Sequence, residues 1–297
     1  MYIADKVTYY FAADAAPLFE VQPGEPILFR TQDCFSGQVT AESCDSVDLD
    51  HDYCNPATGL VSIAGAEPGD ILVVDILDIR TADTGVVSVL EAGGPLWDET
   101  TVTRNRILPI KDGVTSFNGI SWAVEPMIGV IGTAPAQGSV PSGRPFNCGG
   151  NMDSNRIAKG SRVYLPVCVP GALLGMGDLH ASMGDGEVCG TGIEVAGEVL
   201  VTTKLIKNCQ LNWPVVETPD MWYVCACHLQ IDEAIRISLR ELRRLMMDAY
   251  GWDSTDTFMY LSLRGSVEVN QSCLLTTFEN VVRSGVHKHP DMPPLLR

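Results

Sequence analysis

The sequence predicts a mainly β protein with an α/β extension: a jelly-roll-like β-sandwich body followed by a smaller α+β C-terminal part. Three observations lead to this prediction. Many segments rich in Val, Ile, Leu and Thr have the length of a strand, Pro-Gly pairs separate several of them, and one long amphipathic helix follows near residue 231. We assign residues 1–205 to the β-rich body and residues 206–297 to an α+β part packed on it.

Strand reversals in the body are predicted from three Pro-Gly pairs, Pro23-Gly24, Pro68-Gly69 and Pro170-Gly171. Proline holds φ at about −60°, and glycine accepts the positive φ that the third position of a type II turn requires. Segments 71–80 and 195–204 have the composition of strands and are bounded by turn residues. Most of the first 225 residues is therefore predicted to be β-structure.

The helical part of the prediction begins with one helix over Ile231–Tyr250. The helix should bury a face whose apolar residues recur at helical spacing, namely Ile231, Ile235, Leu239, Leu242, Leu245, Met246 and Ala249. Gly251 is a candidate C-terminal cap, and Asp253 is a candidate N-cap of a second, shorter helix. A strand is expected to resume at 267–269.

Composition limits the possible partners of the chain. The 297 residues include 45% hydrophobic residues, enough for a large core, and carry a formal net charge of −17. This charge argues against nucleic acid and anionic membranes as partners, since both are bound through an excess of Lys and Arg. No apolar run approaches the roughly 20 residues that span a bilayer. The N-terminus lacks a basic stretch followed by an apolar one, so we expect a cytoplasmic protein.

The ten cysteines are spread through apolar segments of a long chain, which favours reduced thiols over a disulfide scaffold. Cys225 and Cys227 have the wrong spacing for a Cys-x-x-Cys motif. Their alternation within an apolar segment predicts a buried strand.

Segment 177–190 is the clearest candidate site, because three carboxylates and an imidazole lie there within ten residues, at Asp178, His180, Asp185 and Glu187. Glycines between them allow the backbone to approach a ligand closely, and an Asp-x-His pair on extended backbone presents two ligands on one side. An acidic surface loop is the alternative interpretation, since Gly-Asp-Gly also suits a simple turn.

Three further segments, 147–155, 31–38 with 48–59, and 65–74, complete a set of four patterns. The four patterns follow one another along the chain in the order found in the acetamidase/formamidase family, and they include the runs Gly-Gly-Asn-Met-Asp and Gly-Asp-Gly-Glu-Val-Cys-Gly-Thr. The chain therefore resembles this family from roughly residue 17 to residue 280. The resemblance implies hydrolysis of a short aliphatic amide with the help of a divalent metal ion, for which zinc and calcium are the first candidates. It also implies a homo-oligomer, a dimer or larger. The apolar composition of segment 293–296 separately suggests a subunit contact there.

The resemblance also implies roles for individual residues. Metal ligands are expected at four positions, Asp178, His180, Asp153 and Asp33. Glu187 is expected to carry the proton from water to the leaving nitrogen, with Asp185 as a second catalytic acid. Substrate is expected to contact Gly149, Gly150 and Asn151, the two glycines by exposing backbone N–H groups as an oxyanion hole does. His51 is a further candidate for substrate contact, although the family pattern does not require a histidine there, and a hydrogen-bonded histidine on a loop wall is the alternative.

Other functions remain open from the sequence. A cysteine nucleophile could be Cys34, Cys148 or Cys189, although no local signature of a cysteine hydrolase accompanies them. The same scaffold could cleave a cyclic or substituted amide, or bind a metal or small ligand without turnover. The mixed Asp/His set leaves the metal open as well, because carboxylates suit Ca²⁺, Mg²⁺ or Mn²⁺ and histidine favours Zn²⁺.

Overall fold

The computed structural model describes residues 1–42, 49–89, 93–100, 102–273 and 278–297, so Cys44 and Asp48 lie outside the described residues. In chain order the strands are β1 Tyr2–Ala4, β2 Val7–Thr8, β3 Tyr10–Ala12, β4 Glu20–Val21, β5 Ile27–Thr31, β6 Ala57–Ile63, β7 Ile71–Thr81, β8 Thr84–Val89, β9 Arg104–Pro109, β10 Val114–Phe117, β11 Ile120–Ala123, β12 Met127–Gly132, β13 Ser139–Pro141, β14 Pro145–Phe146, β15 Gly149–Asn151, β16 Arg162–Pro166, β17 Leu174–His180, β18 Glu194–Val195, β19 Gly197–Ile206, β20 Val215–Glu217, β21 Met221–His228, β22 Gly265–Gln271 and β23 Asn280–His287. The α-helices are α1 Ile231–Tyr250 and α2 Ser254–Arg264. The mainly β class with C-terminal helices is confirmed.

Two large sheets form the body. A nine-stranded sheet has the order β1-β5-β19-β7-β16-β20-β21-β23-β22, and a ten-stranded sheet has the path β14-β15-β12-β17-β18-β8-β9, with β2, β4 and β6 branching from it through the β6–β17 pair. The main core cluster draws buried residues from both sheets, for example Phe29 and Val201 from the first and Ile128 and Leu179 from the second. The sheets therefore bury their apolar faces against each other, as in a sandwich.

The predicted turns are present. Gly24, Gly69 and Gly171 have φ of 91°, 92° and 76°, and each lies in a turn closed by a backbone hydrogen bond across three residues. The backbone at these positions has the positive φ that glycine adopts without a steric penalty.

The first sheet continues across the division expected at 205/206. Strand β19 ends at Ile206, and β16 pairs with β20, so that strands from both parts of the chain share one ladder. The division into 1–205 and 206–297 stays a prediction, and it would pass through β19.

Helix α1 has the predicted bounds, and Gly251 ends it in the left-handed conformation with φ 71°. Its buried face differs from the predicted one near the N-terminus, where Ile231 is exposed and Ala234 and Ser238 are buried. The physical reason is a hydrogen bond of 2.6 Å between Ser238 Oγ and Ser284 Oγ on β23, against which this half of the helix packs. Asp253 caps α2 as expected, through the backbone N–H groups of its first turn.

The apolar C-terminal segment packs within its own chain. Leu295 and Leu296 are buried in a second core cluster together with Leu242 and Leu245 of α1. The expectation that 293–296 provides a subunit contact is therefore wrong for these two side chains. Among the described residues, no helix is long and apolar enough to cross a membrane.

Candidate active site

Strand β17 brings Asp178 and His180 to the centre of the ten-stranded sheet. Pairs Ile128↔Leu179 and Val130↔Gly177 join it to β12 on either side of Asp178. Asp178 itself has φ 54°, a conformation uncommon for a non-glycine residue. The side chains of Asp178 and His180 nevertheless lie close together, with His180 Nε2 3.7 Å from Asp178 Oδ1.

Gly129, opposite Asp178 on β12, leaves the space that the acids occupy. A Cβ atom at this position would lie 2.5 Å from Asp153 Oδ1 and 2.6 Å from Asp178 Oδ2. The carbonyl of Gly129 also accepts a hydrogen bond of 2.9 Å from the backbone N–H of Met152, which fixes the chain beside Asp153. A glycine here is thus what allows two carboxylates to approach one point.

Two more acids reach the same point from loops. Asp153 follows β15 with φ 42°, and Glu187 lies in the loop 184–190 with φ 42°. Glu194 arrives on the short strand β18, whose pair His180↔Glu194 places it beside the imidazole, with Glu194 Oε2 3.1 Å from His180 Nε2. His180 Nε2 also lies 3.9 Å from Asp153 Oδ1.

We call Asp153, Asp178, His180, Glu187 and Glu194 the acid–histidine cluster. These side chains belong to residues that are between 1% and 6% exposed. Potential ligand atoms fall in two groups whose members lie within 4.8 Å of one another, one made of Asp153, His180 and Glu187, the other of Cys34, Asp178 and Glu194. Four carboxyl groups and one imidazole are therefore packed together with almost all of their surface buried.

Burial and mutual repulsion change the protonation of this cluster. Burial, and then the charge of Asp178, raise the pKa of Asp153 to about 8 against the opposing charge of His180. Burial and the charge of Asp153 hold the pKa of Glu187 well above its usual value, and burial raises that of Glu194. Burial lowers the pKa of His180, but the surrounding carboxylates, Glu194 first, outweigh it and raise the pKa well above the usual value.

The cluster fits a divalent cation. Asp153 Oδ1, Asp178 Oδ1 and Glu194 Oε2 are buried acceptor atoms that have no hydrogen-bond partner, and a buried acceptor without a partner is costly. Asp153, His180 and Glu187 offer carboxylate oxygens and an imidazole nitrogen within 4.8 Å of one another, and His180 Nε2 lies within 3.9 Å of carboxylate oxygens of Asp153, Asp178 and Glu194. Carboxylate and imidazole donors are those of Ca²⁺, Mg²⁺, Mn²⁺ or Zn²⁺ sites. Asp153, Asp178, His180 and Glu194 are the residues that could hold such an ion.

A cavity of about 560 Å³ gives access to the cluster. Asp178, His180, Glu187 and Glu194 line it, and exposed residues such as His51 lie on its wall, so it runs from the surface to the buried acids. His51 lies in the short 3₁₀ helix His51–Tyr53.

Asn151 is the one expected substrate-binding residue of β15 that lines this cavity. Its side-chain Oδ1 is buried and has no hydrogen-bond partner. Gly149 and Gly150 are not among the described residues that line it. A Cβ at these positions would lie 2.2 Å from Ile131 O and 2.1 Å from Arg144 O, so the two glycines allow close packing of neighbouring strands.

The other two expected acids are not brought into the cluster. Asp33 Oδ1 accepts backbone hydrogen bonds from Phe35 and Gly37, at 2.9 and 3.2 Å, and so stabilises its own turn. Asp185 is ion-paired with Arg283, whose Nη2 donates to both carboxylate oxygens at 2.8 and 2.9 Å.

The cysteines near the site have the surroundings of packed thiols. Cys34 is buried, and burial together with the charge of Glu194 raises its pKa well above the usual value, which opposes formation of a nucleophilic thiolate. Cys148 Sγ lies 3.2 Å from Cys168 Sγ, and Cys189 Sγ donates to the carbonyl of Ser88 at 3.6 Å. Cys225 and Cys227 lie in the buried strand β21, as predicted.

Sequence reasoning missed Glu194 and Gly129. The only signal for Glu194 was a single acid between Ile193 and Val195 in an apolar strand. Its place beside His180 depends on the β17–β18 register, which the sequence does not reveal. Nothing in the sequence distinguished Gly129 from other strand glycines.

The fold and the cluster define a β-sandwich protein whose buried acid–histidine centre opens to a cavity. A family model, the acetamidase/formamidase family, matches residues 5–142 and 137–277, and the chain belongs to this family. The crystal structure of a predicted acetamidase/formamidase from Thermoanaerobacter tengcongensis superposes with a TM-score of 0.92 at 35% identity, covering 96% of this chain and 95% of that one.

Curated relatives match over part of their length. A formamidase from Methylophilus methylotrophus is 31% identical over 63% of this chain and 61% of its own. An acetamidase from Mycolicibacterium smegmatis is 28% identical over 67% of this chain and 66% of its own. The chain thus spans slightly less than two thirds of the curated relatives it matches.

Proposed function

We propose that this protein hydrolyses a short aliphatic amide of the formamide and acetamide class to a carboxylate and ammonia. The acid–histidine cluster, with three buried carboxylate oxygens lacking partners, is the observation that supports this proposal. Membership of the acetamidase/formamidase family supports the substrate class.

Asp153, Asp178, His180 and Glu194 would hold a divalent cation. When bound, such an ion polarises a carbonyl group and makes water a stronger acid. The three carboxylates would offset the charge of the cation, and their burial keeps the electrostatic interaction strong because little water screens it. Asp178 and Asp153 reach the centre only because Gly129 has no side chain.

Glu187 would carry the proton from the attacking water to the leaving nitrogen. A carboxyl group whose pKa is raised toward neutrality can both accept and return a proton at the working pH. The surroundings of Glu187 raise its pKa in this direction. Asn151 would orient the substrate, since its buried Oδ1 can accept a hydrogen bond from an amide N–H.

Ammonia release from formamide and acetamide tests the proposal, measured on protein as purified, after chelation and after return of Zn²⁺, Ca²⁺, Mg²⁺ or Mn²⁺ in turn. We expect chelation to abolish turnover and one of these ions to restore it. Elemental analysis of the purified protein identifies the ion. Metal binding without release from any amide would indicate a binding module instead, and turnover that survives chelation would contradict the cation.

A second candidate is hydrolysis of a larger, cyclic or substituted amide. The cavity of about 560 Å³ has the size of sites that enclose drug-sized molecules, and Tyr9, Phe35 and Phe278 contribute aromatic surface to its wall. A kcat/KM that rises from acetamide to butyramide and phenylacetamide, or to a γ-lactam, would favour this candidate over the first.

We further propose that the protein is a homo-oligomer. Its support is the exposed apolar surface beside β10 and β11, where Phe117 and Ile120 are 37% and 70% exposed. Light scattering coupled to size-exclusion chromatography measures the mass directly, and a mass of 32.1 kDa would refute the assignment.

A further inference from the structure

Arg283 is a fully buried cation outside the acid–histidine cluster. It lies on β23 between β21 and β22, and its side chain is 0% exposed. Its Nε donates to Glu268 at 2.9 Å, its Nη1 to Asn270 at 2.7 Å, and its Nη2 to both oxygens of Asp185. Each of its three nitrogens thus has a defined partner.

Two of these partners lead to the cluster. Asp185 lies two residues before Glu187, in the loop 184–190. The backbone carbonyl of Asn270 accepts a hydrogen bond of 2.9 Å from Gly186, the residue between them. Arg283 therefore contacts the loop that carries Glu187 in two ways. It binds the side chain of Asp185 directly, and it binds Asn270, whose carbonyl accepts a hydrogen bond from the backbone of Gly186.

The same asparagine reaches the other side of the cluster. Asn270 Nδ2 donates to the carbonyl of Met152 at 3.0 Å, next to Asp153. The neighbouring Gln271 donates to the carbonyl of Asn151 at 3.2 Å. One arginine is thus connected to the backbone beside both Asp153 and Glu187, which lie on separate segments.

Stability alone is a weak reason for such an arrangement. Burying an arginine carries a desolvation cost, and apolar side chains of similar volume often stabilise a fold as well as a buried ion pair does. The planar guanidinium has a property that apolar residues lack, since it fixes several partners in one geometry.

We propose that Arg283 is a positioning residue, which acts through Asp185 and Asn270 to fix the carboxylates of Glu187 and Asp153. Asp185 is then a positioning residue rather than a base. The kinetic part of this inference rests on the proposed amide hydrolysis, whereas the structural part does not.

Arg283→Lys and Asp185→Asn test the inference. Lysine keeps the charge but cannot bridge three partners, and asparagine keeps the shape of Asp185 but not its charge. We expect amide hydrogen exchange, read by mass spectrometry, to rise about tenfold or more in residues 184–190. We expect kcat to fall about 10- to 100-fold with KM within about twofold, because small misplacements of catalytic groups act on the chemical step.

Arg162→Lys is the matched control. Arg162 lies on β16 of the same sheet and also links two carboxylates, those of Asp75 and Glu217, which lie on neighbouring strands. It should leave exchange in 184–190 and kcat unchanged. The double variant Arg283→Lys/Asp185→Asn should be little worse than the worse single variant, since each single change already disrupts the contact between Arg283 and Asp185.

The outcomes distinguish failure of the positioning role from failure of the proposed amide hydrolysis. Unchanged exchange and unchanged kcat in Asp185→Asn would overturn the positioning role, as would effects no larger than those of Arg162→Lys. Asp185 is half-exposed, so this variant decides the question even if Arg283→Lys fails to fold. If the unmodified protein hydrolyses no amide, the proposed function fails, and exchange in 184–190 alone decides whether Arg283 positions the loop.

Discussion

Glu187 combines burial with a place in the wall of the cavity that leads to the cluster. Replacement by glutamine preserves its shape but removes its ability to accept a proton. We expect Glu187→Gln to keep the metal and the fold while lowering kcat by roughly 10²–10⁴, the range for loss of a general base. Ammonia release under saturating substrate, with elemental analysis of the same sample, measures both properties.

A control for this variant is Glu233→Gln, which changes a partly buried acid in the first turn of α1, paired with Arg236, and should keep full activity. Loss of the metal from Glu187→Gln would make Glu187 a ligand. Near-normal turnover in Glu187→Gln would contradict the role of Glu187 as the proton carrier.

Asp178 and His180 should instead control metal occupancy. Removal of a ligand weakens the ion and disturbs the geometry around it, so Asp178→Asn and His180→Ala should each lower both metal content and turnover. Because the two side chains serve one ion, the double variant should be little worse than the worse single one. Full metal content and activity in either single variant would remove that residue from the ligand set.

At the scale of elements, the β12–β17 pair depends on a glycine at 129. The Cβ of Gly129→Ala would collide with two carboxylate oxygens that other contacts hold in place. We expect this variant to fold with reduced metal content and at least about tenfold lower kcat, measured by elemental analysis and ammonia release.

Gly175→Ala is the control for Gly129→Ala. Gly175 lies on β17 of the same pair, and its Cβ would meet side-chain atoms of Leu60 and Phe11, at 2.8 and 3.1 Å. This variant should lower the unfolding temperature but keep the metal. Equal metal loss in both variants would show that general damage to the sheet is responsible.

Local signals predicted the elements well, because they depend on neighbouring residues. The bounds of α1, its cap at Gly251 and the Pro-Gly turns follow from caps and φ preferences that act within a few residues. The buried face of α1 was wrong at Ile231 because strand β23 selects Ser238 through a hydrogen bond from a distant segment.

The candidate site was predicted in part for the same reason. Motif resemblance pointed to Asp153, Asp178, His180 and Glu187, which the structure brings together. Sequence reasoning could not assign Glu194, whose position depends on strand register, nor separate Asp185 from Glu187. Two residues apart on one loop, these acids face different partners, Arg283 and the cluster.

At the scale of the whole molecule, the cluster makes stability depend on pH. The pKa values of Asp153, Glu187, Glu194 and His180 are raised in the folded state. Their stabilising contribution is present below the unfolded pKa values and is lost as pH rises through the folded ones. For Asp153 this window extends from 3.8 to about 8. Acids with lowered pKa values, such as Asp75, are ionised in both states over most of it.

We therefore expect the unfolding temperature of chelated protein to fall between about pH 5 and pH 8. A saturating cation should raise it, and by more at pH 8 than at pH 5, because protons compete with the cation for the carboxylates. Scanning calorimetry at several pH values, with and without the ion, measures this. An unfolding temperature that rises with pH in chelated protein would contradict the assigned shifts.

The left-handed backbone conformation at Asp153, Asp178 and Glu187 lowers the stability of the fold at residues that the proposed function needs. Each conformation costs a non-glycine residue of order 1 kcal/mol, and glycine would adopt it at little cost. Selection for a higher unfolding temperature alone should therefore replace these acids by glycine, Asp178→Gly first. The resulting proteins should be more stable but inactive. A library screened in parallel for thermal stability and for turnover would measure this trade-off.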